Sequence, residues 1–153
     1  MARSIGPVSR QADLRRAISA AYYALFHFVL TEVADEFVGQ PFRATLRYSL
    51  AYRAVDHKAV RYLCDEVTKP SATKRYKRFV PIGGWKDNMP AFASALIELQ
   101  DKRHAADYDP AYRATRSDAR LAISTARSAI VRFGRASKTR QKAFLTLLAF
   151  APR

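Results

Sequence analysis

The chain has 153 residues, 49% of them hydrophobic, which is enough for one domain with an apolar core and too few to expect two. Lys and Arg number 27 against 13 Asp and Glu, so the formal net charge is +14 and the pI is near 10.4. Such an excess attracts phosphate-rich polymers by Coulomb forces and counterion release. RNA or DNA is therefore the first expected partner, ahead of an acidic protein or an anionic membrane. The alternative is a solubility trait of a basic proteome.

The residues that bind metals and form disulfides are scarce. The one cysteine, Cys64, excludes an intrachain disulfide and leaves no cysteine cluster for zinc. His27, His57 and His104 are far apart, and there is no Gly-rich phosphate loop or His-Glu-x-x-His pair. We therefore expect no metal and no cofactor. Because no signal peptide or bilayer-spanning apolar run stands out, we expect a soluble, cytoplasmic protein that does not bind membranes.

The first predicted helix contains the most apolar stretch of the chain, residues 17–30 (AISAAYYALFHFVL). Its apolar residues recur at helical spacing on two adjoining stripes. The pattern predicts a helix from an N-cap at Ser9 to about Val38, ended by Gly39. Since the apolar face is so wide, we expect this helix at the centre of a bundle, covered by other helices or by a second subunit.

One edge of this helix is polar. A guanidinium, a phenol and an imidazole share a line at Arg16, Tyr23 and His27. The line is typical of a core boundary, and the alternative is a polar seam that borders a cleft.

Two further helices are predicted before a loop. Residues 42–55 form the second helix, and Asp56 is the N-cap of the third, which runs from His57 to about Lys69. The apolar positions of the second helix are Phe42, Leu46, Leu50 and Val55.

Residues 70–88 are rich in Pro and Gly and lack a helical period, so they predict a loop. Its segment 74–79 (KRYKRF) interleaves four cations with two aromatic residues. Cations that hold phosphates beside rings that stack on bases are typical of single-stranded nucleic acid binding. The alternative is solvated charge with aromatics that attach the loop to the core. The predicted nucleic-acid-binding residues are Lys74, Arg75, Lys77, Arg78, Arg53 and His57.

The fourth predicted helix has its N-cap at Asn88 and runs to about Tyr108. Its apolar stripe reaches Leu99 and then continues into Arg103, with Asp107 one turn further on. An arginine at a position that should be in the core needs a buried partner or a cleft. The alternative is an ordinary ion pair four residues apart near the helix end.

The fifth helix is predicted to begin at Thr115, which forms a capping box with Asp118, and to end at Gly134. Its expected core positions are Leu121, Ile123, Ala126, Ile130 and Phe133. Residues 138–150 then predict an apolar C-terminal helix, which should cap the bundle or bury against another subunit.

Residues 15–29 (RRAISAAYYALFHFV) and 99–110 (LQDKRHAADYDP) together resemble the HEPN domain, in particular its small stand-alone bacterial members. The resemblance implies an all-α antiparallel bundle of about five main helices. We therefore expect residues 1–153 to form a single HEPN-like domain. Domains of this family commonly form homodimers. The resemblance also implies a place in toxin–antitoxin, defence or nucleotidyltransferase-linked systems.

Active HEPN ribonucleases share an arginine followed, four to six residues later, by a histidine, and they cleave RNA without a metal. Arg103 matches the arginine, but Tyr108 occupies the position expected for the histidine. A phenol with a pKa near 10 is a poor general base at neutral pH. By resemblance, Arg103 would hold the scissile phosphate, His104 or Tyr108 would move protons, and Asp107 would orient one of them.

Several functions therefore remain open. The leading one is a HEPN protein that binds RNA or a nucleotide in a basic dimer cleft, with metal-independent endoribonuclease activity as an extension. The alternatives are a non-catalytic partner of a nucleotidyltransferase or antitoxin protein, and a structural helical module.

Overall fold

The structure, a computed structural model, describes the backbone of residues 7–153 and the side chains from residue 10 onward. Within these residues there are six α-helices and no β-strand, and the helices pack against one another as a bundle, which confirms the predicted all-α fold. The helices are α1 (Pro7–Phe37), α2 (Leu46–Tyr52), α3 (His57–Thr68), α4 (Asn88–Tyr108), α5 (Arg116–Arg135) and α6 (Lys138–Ala149). Short 3-10 turns lie at Gln40–Phe42 and Lys77–Phe79.

Helix α1 is the central helix, as its wide apolar face predicts. It contacts α2, α4, α5 and α6, and its residues Tyr22, Leu25 and Val33 are buried. The segment Arg10–Phe37 is also long and apolar enough to cross a membrane by length and composition, although half of its most apolar stretch is buried inside the bundle. From the sequence, we expect no such run. Polar residues such as Ser19 do interrupt the apolar ones, but the mean hydropathy of the segment stays high enough for a membrane span.

The two ends of α1 differ from each other in how well the sequence predicts them. Gly39 adopts a φ of +106°, which favours glycine, and its amide donates to the Ala34 carbonyl, so the helix ends one residue before the predicted Val38. The helix begins at Pro7, so Ser9 is inside its first turn and is not the N-cap. The Ser9 side chain lies outside the described residues.

The predicted second helix over residues 42–55 is wrong in extent and in register. Thr45 interrupts it and caps α2 by accepting from the Tyr48 amide, so only seven residues are helical. Tyr48 is buried and donates to Asp35, whereas Leu46 and Leu50 are 86% and 73% exposed. The cap rotates α2 so that the tyrosine, and not the leucines, faces the core.

Helix α3 begins as predicted, with the Asp56 side chain accepting from the Ala59 amide at 2.7 Å. Its inner side includes Cys64, whose thiol is completely buried. Burial raises the pKa of this thiol far above its ordinary value.

Helix α4 begins at Asn88, so its N-cap position is Asp87 and not the predicted Asn88. Its C-terminal end is fixed by Arg15 of α1. The Arg15 guanidinium donates to the carbonyl oxygens of Ala106 at 3.2 Å and Asp109 at 3.0 Å, and also to that of Tyr112. One side chain thereby holds the segment where α4 ends, close to Arg103.

Helix α5 has the predicted capping box of Thr115 and Asp118, but it continues through Gly134 to Arg135. Its core face is predicted in part: Ala126 and Phe133 are buried as expected, whereas Leu121 and Ile123 are 53% and 39% exposed. The buried positions are Ala119, Ala122, Ala126, Ala129 and Phe133. Alanine lets α5 approach α1 and α4 closely, so the larger aliphatic side chains are displaced to the edges of the contact.

Helix α6 folds back onto the bundle. Phe144 and Leu148 are buried, and the buried Gln141 amide donates to the carbonyls of Phe133 and Ala136, both at 3.0 Å. Of the two alternatives for the apolar C-terminal segment, capping of the bundle is therefore the one observed.

Candidate active site around Arg103

The Arg103 side chain lies among aromatic rings and is only 15% exposed. Its guanidinium carbon is 5.2 Å from the ring centre of Tyr23, 5.5 Å from that of Tyr22 and 5.8 Å from that of Tyr108. Cations are attracted to the faces of aromatic rings at such distances. The arginine that interrupts the apolar stripe of α4 thus lies in an aromatic cage at the surface of the core.

Asp107 holds this guanidinium from one side. Arg103 Nε donates to one carboxylate oxygen at 3.2 Å, and the Ser19 hydroxyl donates to the other at 2.6 Å. Burial alone would lower the pKa of Arg103, but Tyr23 and Asp107 raise it overall, so the group stays charged. Among the described residues, neither Nη atom of Arg103 has a hydrogen-bond partner.

His57 comes to the same cage from the first turn of α3. Its ring stacks on Phe26 with ring centres 3.8 Å apart, and its Nδ1 lies 2.7 Å from the Tyr22 hydroxyl oxygen. The imidazole centre is 5.6 Å from the ring of Tyr22 and 5.8 Å from that of Tyr23. Arg103 and His57 therefore lie against the same two tyrosine rings. We call Arg103, His57, Tyr22, Tyr23 and Asp107 the Arg103 site.

Burial lowers the pKa of His57 below its ordinary value, and the positive charges of Arg103 and His27 lower it further, against the opposing effect of Asp56. Burial also raises the pKa of Tyr22 to about 12, although Arg103 acts in the other direction. At neutral pH both groups are therefore uncharged.

Gln100 fixes this pair. Its amide nitrogen donates to the Tyr22 hydroxyl oxygen and to the His57 carbonyl oxygen, both at 3.3 Å. Its amide oxygen in turn accepts from Arg61 at 3.3 Å. A continuous hydrogen-bonded chain thus connects α1, α3 and α4 at the Arg103 site.

His27 borders the site on the solvent side. Its Nδ1 lies 2.6 Å from the Tyr52 hydroxyl, and the two rings stack with centres 6.0 Å apart. Tyr23 is next to it, with ring centres 6.4 Å apart. Of the polar line predicted on α1, Tyr23 and His27 border this site, while Arg16 is exposed and lies 3.9 Å from Asp13.

The other candidate residues near the end of α4 are more exposed. The rings of His104 and Tyr108 have centres 5.0 Å apart, and Tyr108 also contacts the Arg103 guanidinium. Among the described residues, His104 has no hydrogen-bond partner and no contact with His57.

The predicted nucleic-acid-binding residues do not all lie together. Arg75 Nε donates to the Pro152 carbonyl, and a cavity of about 550 Å³ is lined by Lys74, Arg75, Arg78, Phe79, Pro152 and Arg153. Tyr76 is buried and attaches the loop to the core, as the alternative interpretation of this segment expects, while Lys77 is exposed. Arg53 is exposed at the end of α2, and His57 turns away from the loop toward the Arg103 site.

Ser19, Gln100 and Tyr52 are contributors that the sequence patterns do not single out. Ser19 and Gln100 are polar residues inside apolar stripes, which is the same signal that drew attention to Arg103. Across the residues whose placement is described, no group of three or more His, Cys, Asp or Glu side chains is arranged to hold a metal ion.

Comparisons with known proteins gave no significant match to a protein-family model, to a curated protein sequence or to a solved structure.

Proposed function

We propose that this chain binds RNA at the Arg103 site and cleaves it without a metal, as a HEPN-like endoribonuclease. The observation that carries the proposal is that Arg103 and His57 lie against the same two tyrosine rings. A fixed cation beside an uncharged imidazole supplies the two groups that phosphodiester cleavage requires, an anion-binding group and a general base.

Arg103 is the proposed phosphate-binding residue. Its Nε is held by Asp107, which Ser19 holds in turn, and among the described residues its two Nη groups have no hydrogen-bond partner. A guanidinium can donate two parallel hydrogen bonds to phosphate oxygens. In this role Arg103 stabilises the charge that builds up on the phosphate during the reaction.

The proposed proton transfers use two histidines. The 2′-hydroxyl attacks the adjacent phosphorus, which forms a new O–P bond while the bond from phosphorus to the 5′ oxygen breaks. His57 Nε2 accepts the 2′-hydroxyl proton, with its Nδ1 hydrogen donated to Tyr22, and protonated His27 donates a proton to the departing 5′ oxygen. The products are a 2′,3′-cyclic phosphate and a 5′-hydroxyl.

The low pKa of His57 favours this division of roles. Burial keeps His57 uncharged, and a proton on His27 opposes a second proton on His57. The uncharged imidazole is the form that accepts a proton, so the lowered pKa suits His57 to the role of general base. The histidine missing at Tyr108 would thus be replaced by one from another helix.

The test is incubation of purified protein with mixed single-stranded RNA in EDTA, followed by gel analysis and identification of the RNA ends. We expect cleavage by wild type and by His104→Asn, and its loss in Arg103→Ala and His57→Asn. RNA in which the 2′-hydroxyl is methylated should stay intact. Circular dichroism of each variant checks that it is folded.

Loss of cleavage in His104→Asn but not in His57→Asn would return the proton transfer to the end of α4. Intact RNA with wild type at high concentration would contradict the nuclease and favour a non-catalytic partner. A homodimer, and a nucleotidyltransferase or antitoxin as partner, stay predictions from the HEPN resemblance.

A further inference from the structure

The positive charge of the chain is concentrated in its last third. Residues 111–153 carry ten Lys and Arg side chains and a single carboxylate, Asp118, whereas residues 1–110 carry 17 and 12. Asp118 is itself engaged in the capping box of α5. Most of the net charge of +14 is therefore located on α5, α6 and the segments next to them.

Helix α5 presents part of this charge as a regular row. Arg116, Arg120 and Arg127 are exposed, and on an ideal helix they lie within about 40° of one another and span about 16 Å along the axis. Among the described residues, no carboxylate lies within ion-pair distance of any of them, although Arg43, Arg61 and other cations elsewhere do have such partners. We call these three residues the arginine stripe.

One residue of the arginine stripe, Arg127, lines a groove on α1. A groove of about 290 Å³ lies between α5 and α1, and Arg127 forms one side of it. The α1 side consists of the short side chains of Ala17, Ala20, Ala21 and Ala24. On an ideal helix, Tyr23 and His27 lie on the opposite flank of Ala20 and Ala24. The distance across α1 is about 10 to 12 Å, the diameter of a helix with its side chains.

We infer that the arginine stripe binds the phosphate backbone of the RNA segment that flanks the bond at the Arg103 site, with the strand crossing α1 over Ala20 and Ala24. The identity of the polyanion rests on the proposed function. Guanidinium groups bind phosphates by paired hydrogen bonds, and the exposed hydroxyls of Ser117 and Ser124 on the same helix can donate to phosphate as well. Because α5 exposes no aromatic residue there, the contact would be independent of base sequence.

The test measures binding with fluorescent 2′-O-methyl RNA, which binds but cannot be cut. Oligonucleotides of about 4 and about 20 nucleotides are compared, the shorter one filling only a single small site. The variant is Arg116→Gln/Arg120→Gln/Arg127→Gln, and the matched control, Arg47→Gln/Lys58→Gln/Lys86→Gln, removes the same charge from exposed positions outside α5.

We expect the stripe variant to lose affinity for the long RNA and to keep the affinity of wild type for the short one. With a slope of about 0.7 per phosphate contact, three lost contacts lower the salt slope by about 2. Wild-type affinity for the long RNA should then fall about 20-fold more than that of the stripe variant between about 50 and 200 mM salt. The control variant should keep at least most of the wild-type slope.

An unchanged slope in the stripe variant would overturn the inference. If, in addition, the variant lost binding to polyglutamate, the stripe would fit an acidic protein and not RNA. Binding that depends on the stripe in a protein that never cleaves RNA would support the inference and contradict the nuclease. Cleavage by wild type, together with an unchanged salt slope in the stripe variant, would support the nuclease and contradict the inference.

Discussion

His57 and Arg103 come from different helices, α3 and α4, and both lie against the ring of Tyr22, whose hydroxyl lies 2.7 Å from His57 Nδ1. Burial lowers the pKa of His57, and the positive charge of Arg103 lowers it further. This relationship yields the first two predictions.

Stability should fall as the pH is lowered below the ordinary histidine pKa of about 6.5. The folded-state pKa of His57 is lowered, so between the two values the unfolded chain binds more protons than the folded one, and acid favours unfolding. Urea unfolding from about pH 7.5 to 5 checks this. His57→Gln should make the curve flatter over that window, and the same flattening by His104→Gln would contradict the assignment to His57.

Tyr22→Phe should reduce cleavage by at least about tenfold and stability by about 1 kcal/mol, because it removes the hydroxyl that holds both His57 and Gln100. Tyr23→Phe is the matched control, since its hydroxyl has no hydrogen-bond partner among the described residues while its ring faces the same arginine. Initial rates and urea midpoints measure both effects. Equal losses in the two variants would show that the hydroxyl of Tyr22 has no special role.

Arg15→Ala should lower the free energy of unfolding by about 2 kcal/mol, because a charged donor bonded to several carbonyls of the α4 end is lost. Arg16→Ala, which removes an exposed side chain 3.9 Å from Asp13, should change it by less than about 0.5 kcal/mol. Urea denaturation of the two variants measures these changes. Similar losses in the free energy of unfolding for both would contradict the anchoring role of Arg15.

Ala122→Leu should destabilise the protein by about 1 to 3 kcal/mol, since Ala122 is fully buried on the core face of α5 and the larger side chain would overpack that contact. Leu121→Ala, on the exposed side of the same helix, should cost less than about 0.5 kcal/mol. Thermal unfolding of the two variants compares them directly. The opposite order would restore the core face that the sequence pattern predicts.

These contrasts show what the sequence can predict. Asp56 and the Thr115 capping box determine helix starts through contacts within four residues, so local sequence is sufficient to predict them. The face that α5 buries depends on how closely α1 approaches, and in a helix with aliphatic residues on several sides no local signal decides between leucine and alanine. The prediction of α2 is wrong for the same reason, because Tyr48 is buried through its hydrogen bond to Asp35, which lies on another helix.

The residues of the candidate site also divide into those that local sequence predicts and those that helix packing brings in. Arg103 stands out because it breaks an apolar stripe, and Asp107 follows from helical spacing. The position of His57 depends on the docking of α3 against α1 and α4, which no spacing along the chain encodes. A search for the histidine within a few residues of Arg103 therefore finds His104 and Tyr108 and misses the imidazole that contacts the same tyrosines.

The buried thiol of Cys64 has a practical consequence. It is the one cysteine of the chain, it is fully enclosed by the bundle, and its raised pKa keeps it in the unreactive protonated form. Alkylation by iodoacetamide, followed by mass spectrometry, therefore reports the opening of the core in every variant described above. A variant that loses RNA cleavage while Cys64 stays unlabelled has lost its chemistry, whereas rapid labelling identifies one that has lost its structure.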